Sequence, residues 1–489
     1  MRAALLVLLL MVAAGCASPA ATQGPAGSAA PGMAAPIPLV APTFDAPVNL
    51  PGVDMATAPI SGEPSIATAP DGRIWVSAPV IPQLDVTGFL PGAGAQQGRV
   101  WSSPDGKTFT LHNKNGVLAG KISGDGDTDI AVDGNGTAYM ADLGRGIPLF
   151  ISKDHGATWT EKDDITATPQ SESRDRQWID ARGPGRVVVV VAGTEHGAPR
   201  TVLFVQSNDS GETWSKPREL TTHMIQIGPI VWVDDHTLAM VYVEPLGNAT
   251  TPQSSNVEGR IHVLVSPDSG ATWNDTPFAG KIPRAVGFVA ASFAPTFIFP
   301  VIAADHAGNL YVAWSQSRSG SDAPNTDVGT TIMLARSLDR GATWSDPQAM
   351  TPATGNSIFP ALVAGEEGRV ALAWLRADTP LDPNHTVGPW YLHEMETTNG
   401  AADAPKWTDV QAAAEVVHNG GVCASGGACS IADGTGDRTL LDFIEIAIVP
   451  TTGKTVIAYT VDPPMNAKQP QIHVISQNGG SPLLDLTPR

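Results

Sequence analysis

From residue 59 onward, apolar residues come in short runs bounded by Gly, Pro, Asn and Asp. Long amphipathic helical periodicity is hard to find, so the pattern predicts many short strands and an all-β fold. The runs repeat. Apolar strands open at Pro64-Ser-Ile-Ala, Asp129-Ile-Ala-Val, Trp178-Ile-Asp-Ala, Pro229-Ile-Val-Trp, Pro300-Val-Ile-Ala, Pro360-Ala-Leu-Val and Glu445-Ile-Ala-Ile. Each is followed by a small turn, with Gly in all copies but the one at Pro229, then a second apolar strand often ending in Trp or Tyr, and a further hairpin. Four antiparallel strands per unit, repeated radially, predict a β-propeller. Seven copies favour seven blades of about 60 residues each, with six blades as the alternative.

A second repeat marks the later hairpin of a unit. Ser-x-Asp-x-Gly-x-Thr-Trp occurs at Ser152–Trp159, Ser207–Trp214, Ser266–Trp273 and Ser337–Trp344. A variant one residue shorter, Ser103-Pro-Asp105-Gly106-Lys-Thr108-Phe109, replaces Trp by Phe, and Ser476-Gln-Asn478-Gly-Gly480 reads as a worn sixth copy. The chemistry is that of a turn. Asp accepts hydrogen bonds from turn amides, Gly supplies a positive φ, and the aromatic ring fills the gap to the next layer. Asp105, Asp154, Asp209, Asp268 and Asp339 are therefore read as structural.

The N-terminus reads differently. Arg2, the apolar stretch Ala3 to Ala14 and the small residues before Cys16 form an export signal over residues 1–15, too short for a permanent membrane span. Ala13-Ala14-Gly15-Cys16 resembles a bacterial lipobox, with Ala13 where Leu is usual, making Cys16 the expected lipidation site. Residues 16–58, rich in Ala, Pro, Gly, Ser and Thr and nearly uncharged, read as a flexible tether. The stretch from Ile37 to Val48 is able to add a closing strand to the domain that follows, residues 59–489.

Composition adds three limits. The formal net charge of −19 argues against nucleic acid and anionic membrane as partners, leaving the lipid anchor as the only expected membrane contact. The two remaining cysteines, Cys423 and Cys429, suggest a local disulfide in an exported chain. The eleven histidines show no metal-ligand spacing, so no metal or cofactor is expected for chemistry. Asp125, Asp127 and Asp129 alternate as in a calcium loop without its glycine and glutamate, which leaves a structural calcium as a weak alternative to a solvated turn.

The Asp boxes, with Gly62-Glu63-Pro64-Ser65-Ile66, Asp175-Arg176-Gln-Trp178-Ile179 and Gly436-Asp437-Arg438, resemble the sialidase-like (BNR-repeat) superfamily over nearly everything after residue 58. That resemblance implies a propeller that engages a glycan or glycoprotein, and the export signal and lipobox place it at the cell envelope, whether outer membrane, periplasm or cell surface. The resemblance also implies Asp boxes on the rim, away from the active face. Sialidases hold the substrate carboxylate with three arginines, use a tyrosine–glutamate pair as nucleophile and an aspartate as acid/base. They usually have six blades. The Phe/Tyr-Arg-Ile-Pro motif of that family is missing: its place is taken by Gly62–Ile66, and Arg145-Gly-Ile147-Pro148 has the wrong spacing and position.

The loops leading into the inner strands hold the remaining candidates. Residues 175–180 and 437–442 share Asp-Arg-x-x-x-Asp. Arg176 and Arg438 are candidate clamps for a carboxylate or sugar hydroxyls, with Glu63 and Trp178 as further ligand contacts. Asp129, Asp175, Asp442 and Glu445 are the candidate acid/base residues, and Tyr391 is the one tyrosine outside an apolar strand pattern. The same Asp-Arg pairs also fit ion pairs that bridge neighbouring blades. The readings that follow are an exo-acting, sialidase-like glycoside hydrolase, a non-catalytic glycan- or protein-binding scaffold, or another carbohydrate-active enzyme such as a lyase on the same fold.

Overall fold

The computed structural model describes residues 37–51, 60–81, 97–112, 127–144, 146–169, 171–195, 199–224, 226–246, 258–277, 285–286, 299–318, 329–423, 438–462 and 471–486. They belong to one unit, Pro36–Arg489. Among them the only helix is a 3-10 turn, Pro383–His385.

Seven antiparallel sheets form seven blades. Their inner strands are Ser65–Thr68, Thr128–Val132, Ser171–Arg182, Gln226–Trp232, Val301–Ala304, Asn356–Ala364 and Glu445–Val449. Five of the seven repeat starts read from the sequence fall at or within these strands, and Pro64 and Pro300 stand one residue ahead of theirs. Each inner strand packs against the next, and the seventh against the first, so the ring closes. The second strands are near-continuous apolar runs because each is covered on both faces by neighbouring blades. Val187–Ala192 of blade 3 and Leu310–Trp314 of blade 5 are almost wholly buried.

Blade 7 is assembled from both ends of the described chain. Its inner, second and third strands are Glu445–Val449, Lys454–Val461 and Gln471–Gly479. Its outer edge is Thr43–Phe44 and Val48–Asn49, both antiparallel to the third strand. The stretch from Ile37 to Val48 does supply the closing strand.

The Asp boxes fold as their composition requires. In Ser152–Trp159, Asp154 accepts from the Thr158 amide at 2.9 Å and the Thr158 hydroxyl at 2.6 Å, while Ser152 Oγ accepts from the Gly156 amide at 2.8 Å. The boxes at Asp209, Asp268 and Asp339 repeat this closure. The box glycine has a second task. Gly211 has φ +79, and an added Cβ would lie 2.5 Å from Ile151 of the preceding blade. Each box thus seats its turn on its neighbour. Asn478, in the worn copy, accepts from Thr43 Oγ1 at 2.6 Å, because the outer strand arrives there from the N-terminal side and not through a turn. A further degenerate box, absent from the sequence reading, lies in blade 6: Asn399 Oδ1 accepts from Thr397 Oγ1 and from the Lys406 amide, both at 3.0 Å. Its spacing is lengthened by an insertion, which hid it.

Cys423 is buried and disulfide-bonded. Cys16, Cys429, Asp125, Arg145 and Asp437 lie outside the described residues.

Candidate functional site

In a four-stranded blade, the inner-to-second and third-to-outer turns share one end. The loops that begin the inner strands lie at the other. The Asp boxes are third-to-outer turns, so the loops leading into the inner strands converge at the opposite mouth of the central channel. The channel below that mouth is a cavity of about 420 Å³ walled by the inner strands.

Residues at the start of the inner strands are repeatedly held at positive φ: Glu63 at 50° and Phe299 at 39°, two residues ahead of their strands, and Arg176 at 51° and Phe359 at 56°, within theirs. At Arg176 and Phe359 the pairing register also slips. Non-glycine residues in this region are strained by roughly 1–3 kcal/mol, and the accompanying bulge re-aims the side chain. Gly228 stands at the matching place in blade 4, where a Cβ would come within 2.0 Å of the Pro300 carbonyl.

Arg176 reaches across the axis. Its guanidinium carbon lies 3.8 Å from the Trp178 ring centre, 4.1 Å from Phe443 and 5.5 Å from Phe299. Those three rings, from blades 3, 7 and 5, form a triangle with centroid separations of 5.4, 5.5 and 5.7 Å. Arg176 is 2% exposed, yet none of its three guanidinium nitrogens has a hydrogen-bond partner among the described residues. A buried, unsatisfied cation of this kind is costly, and the ring faces compensate only in part. Trp178 is correspondingly covered by Arg176 and buried.

Arg438 behaves differently, although it shares the sequence pattern of Arg176. Both of its terminal nitrogens donate to the Asp442 carboxylate within the same loop, one at 2.8 Å, and Glu63 of blade 1 lies 3.7 Å away. The Leu441 amide donates to the Arg438 carbonyl at 3.1 Å, so residues 438–441 make a turn that brings Asp442 back to Arg438. Residues 177–180 run instead as regular strand, and Asp180 accepts from the Trp232 amide of blade 4 at 2.8 Å.

Asp129 and Glu445 tie the ring together. Asp129 accepts from Ser65 Oγ of blade 1 at 2.5 Å and from the Ile179 amide of blade 3 at 2.8 Å. Glu445 accepts from the Ile66 amide of blade 1 at 2.8 Å. These carboxyls occupy the blade-bridging alternative. Burial raises both, Glu445 to about 8 with help from the Asp129 charge. Asp175 is exposed and pairs with Arg200. Tyr391 sits on the third strand of blade 6 opposite Arg376 and does not line the channel. The mouth therefore brings together Glu63, Arg176, Trp178, Arg438 and Asp442, with Asp129 and Glu445 on the wall below, and leaves Asp175 and Tyr391 aside.

Glu63 and Asp127 form the remaining feature. Their carboxyls neighbour each other, and each bears on the protonation of the other. Glu63 is 3% exposed, and burial together with the Asp127 and Asp442 charges lifts it well above its ordinary range. Asp127 keeps partial solvent contact; it too is raised by burial, against the opposing pull of Arg176 and of Glu63. Two adjacent carboxyls cannot both ionise here, so they share one proton and titrate as a unit. Behind them, Asp142 is pushed up to about 7 by burial and the Asp127 charge. Gln177 Nε2 holds the Asp127 carbonyl at 2.7 Å.

Sequence reasoning placed Asp127 only in an alternating acidic turn and missed Phe299 and Phe443. One signal was available: Glu63, Phe299 and Phe359 each precede a proline that opens a repeat. Among the described residues no group of three His, Cys, Asp or Glu side chains is arranged to hold a metal.

Residues 179–374 match the family described as BNR repeat-like domain. With the Asp-box turns and the seven four-stranded blades, this marks a β-propeller that carries BNR-type repeats. A crystal structure of a protein of unknown function from Dyadobacter fermentans DSM 18053 is similar at 14% identity, over 90% of this chain and 100% of that one, with TM-score 0.46. The Hadza microbial sialidase Hz136 is similar at 17% identity over 68% of this chain and 66% of that one, TM-score 0.43. An ulvan lyase, a polysaccharide lyase, is similar at 9% identity over 87% and 96%, TM-score 0.47. Likeness of this order carries no inference about chemistry. No curated protein matches the chain.

Proposed function

We propose that this is an exported, cell-envelope propeller, anchored through Cys16, that engages glycans at the mouth opposite the Asp boxes and cleaves glycosidic bonds there. The observation that carries the catalytic reading is the Glu63–Asp127 pair at the mouth, a buried carboxyl set beside a more exposed one, with burial favouring the protonated form. Asp127 faces the scissile bond, and Glu63 stores the proton that Asp127 delivers to the leaving oxygen and later recovers from water. Arg176, buried beside the pair, contributes a positive charge that favours an acidic substituent at the mouth. The disulfide at Cys423 supports an oxidising, extracytoplasmic setting.

A second reading is a glycan-binding scaffold without turnover. It is favoured by Arg438 being neutralised by Asp442 and by Arg176 being seated on three rings. One experiment separates the two. Release of reducing sugar and glycan binding are measured together on a panel of neutral and acidic glycans, with Glu63→Gln and Asp127→Asn alongside. Turnover lost in both variants with binding retained supports the hydrolase. Binding without turnover by the unmodified protein across the panel sinks the hydrolase and leaves the scaffold, and no binding at all removes both.

A further inference from the structure

Blades 6 and 7 meet along a seam that carries two carboxyls. Glu394 and Glu396 stand two residues apart on the third strand of blade 6, Pro389–Thr397, and so share a face. Both are fully buried. Their partners within the sheet are Ala373 and Val410 for Glu394, and Ala371 and Thr408 for Glu396, none of which titrates. From blade 7, Thr455 Oγ1 donates to the two oxygens of Glu394 at 2.9 and 3.2 Å. Gln477 faces Glu396, but neither Glu396 oxygen is in hydrogen-bonding geometry with it. The cation facing the pair is Lys454, whose Nζ donates to the Asn478 carbonyl. Farther along that strand Tyr459 Oη donates to Glu415 at 2.6 Å, and His473 also binds Glu415.

No Lys or Arg among the described residues forms an ion pair with either glutamate. Two carboxylates side by side in a dry seam, one without a hydrogen bond, are not tolerated as a pair of charges. Blade 7, on one side of the seam, is itself built from both ends of the described chain.

We propose that the blade 6–blade 7 seam is a proton-operated latch, in which neutral Glu394 and Glu396 hold blade 7 against the ring and their ionisation loosens it. Burial and the Glu396 charge raise Glu394 well above the ordinary carboxyl range, and burial raises Glu396 to about 8. An acid raised on folding gives stability that is complete below its unfolded pKa of about 4.3 and lost as pH climbs through the folded value. The window runs upward from there through about 8. Blade 7 also carries Arg438, Asp442 and Phe443, so loosening the seam displaces one wall of the mouth. The latch does not depend on the glycan reading.

The test is the thermal midpoint of the full mature chain between about pH 5 and about pH 9, for the unmodified protein, Glu394→Gln and Glu396→Gln. Amide hydrogen exchange, corrected for intrinsic base catalysis, is followed in parallel at Pro389–Thr397 and Lys454–Val461, with Thr201–Ser207 of blade 3 as reference. The unmodified midpoint is expected to fall with pH, and Glu396→Gln to stand above it by at least about 2 °C at the alkaline end. Protection should be lost first at the seam. An equal alkaline fall in Glu396→Gln, or loss of protection spread evenly over the blades, overturns the latch. Should neither variant fold, exchange in the unmodified protein alone decides between these outcomes.

Discussion

At the Asp-box end of each blade, an aspartate such as Asp154 lies at the surface and accepts hydrogen bonds from its own turn, which hold it below the ordinary carboxylate range. At the mouth, Glu63 and Asp127 lie under neighbouring blades, lean on each other, and are held above that range by burial. The same functional group is thus used in two ways. One is satisfied within an eight-residue motif and serves construction. The other is placed by residues distant in sequence, and its strained environment keeps a proton available. The difference lies in what surrounds the carboxyl, since the side chain itself is nearly the same.

The largest contrast should appear in turnover. Glu63→Gln and Asp127→Asn are each expected to cost at least about 100-fold in reducing-sugar release, whereas Asp154→Ala at the other end leaves the rate unchanged. Equal losses at both ends would erase the distinction. In stability, Arg438→Ala should be the costliest change at the mouth, about 3–5 kcal/mol by denaturant unfolding, because Asp442 and Glu63 lose the cation they surround. At the box end, Gly211→Ala is expected to cost about 1–3 kcal/mol, since a Cβ there collides with Ile151 at a backbone angle that disfavours side chains.

The finest test is the sign of the pH dependence. Glu445 is raised on folding to about 8, so its contribution is complete below the unfolded carboxyl pKa of about 4.3 and lost as pH rises to about 8. Glu445→Gln keeps an acceptor for the Ile66 amide and should raise the midpoint above about pH 8 while changing little in acid. Asp154 is lowered on folding, so its contribution is present above the unfolded pKa of about 3.9 and lost as pH falls through the folded value. Asp154→Asn should therefore lower the midpoint at neutral pH and converge on the unmodified protein in acid. Parallel profiles for the two variants would refute the comparison.

Residues 175–180 and 437–442 show how far the sequence reaches. They share Asp-Arg-x-x-x-Asp and suggest one role, yet Arg438 is closed on Asp442 while Arg176 stretches over Trp178, Phe299 and Phe443. The pattern gives both arginines a place at the mouth. It does not say that one segment turns and the other continues as strand. Phe299 and Phe443 were out of reach for a related reason: each resembles any apolar residue beside a strand until three blades bring the rings together. Tyr391, free of strand patterning in the sequence, is carried away from the axis by its place on a third strand.

By itself the sequence determined the all-β class, the seven repeats, the box turns, and the N-terminal stretch able to close the ring. Each of these depends on contacts a few residues apart or on a period that recurs, and such regularities are written along the chain. The acid pair of Glu63 and Asp127, the unsatisfied Arg176 and the buried seam of Glu394 and Glu396 were decided by the tertiary structure. Their properties come from desolvation and from charges on other blades, and these exist only once the ring has closed.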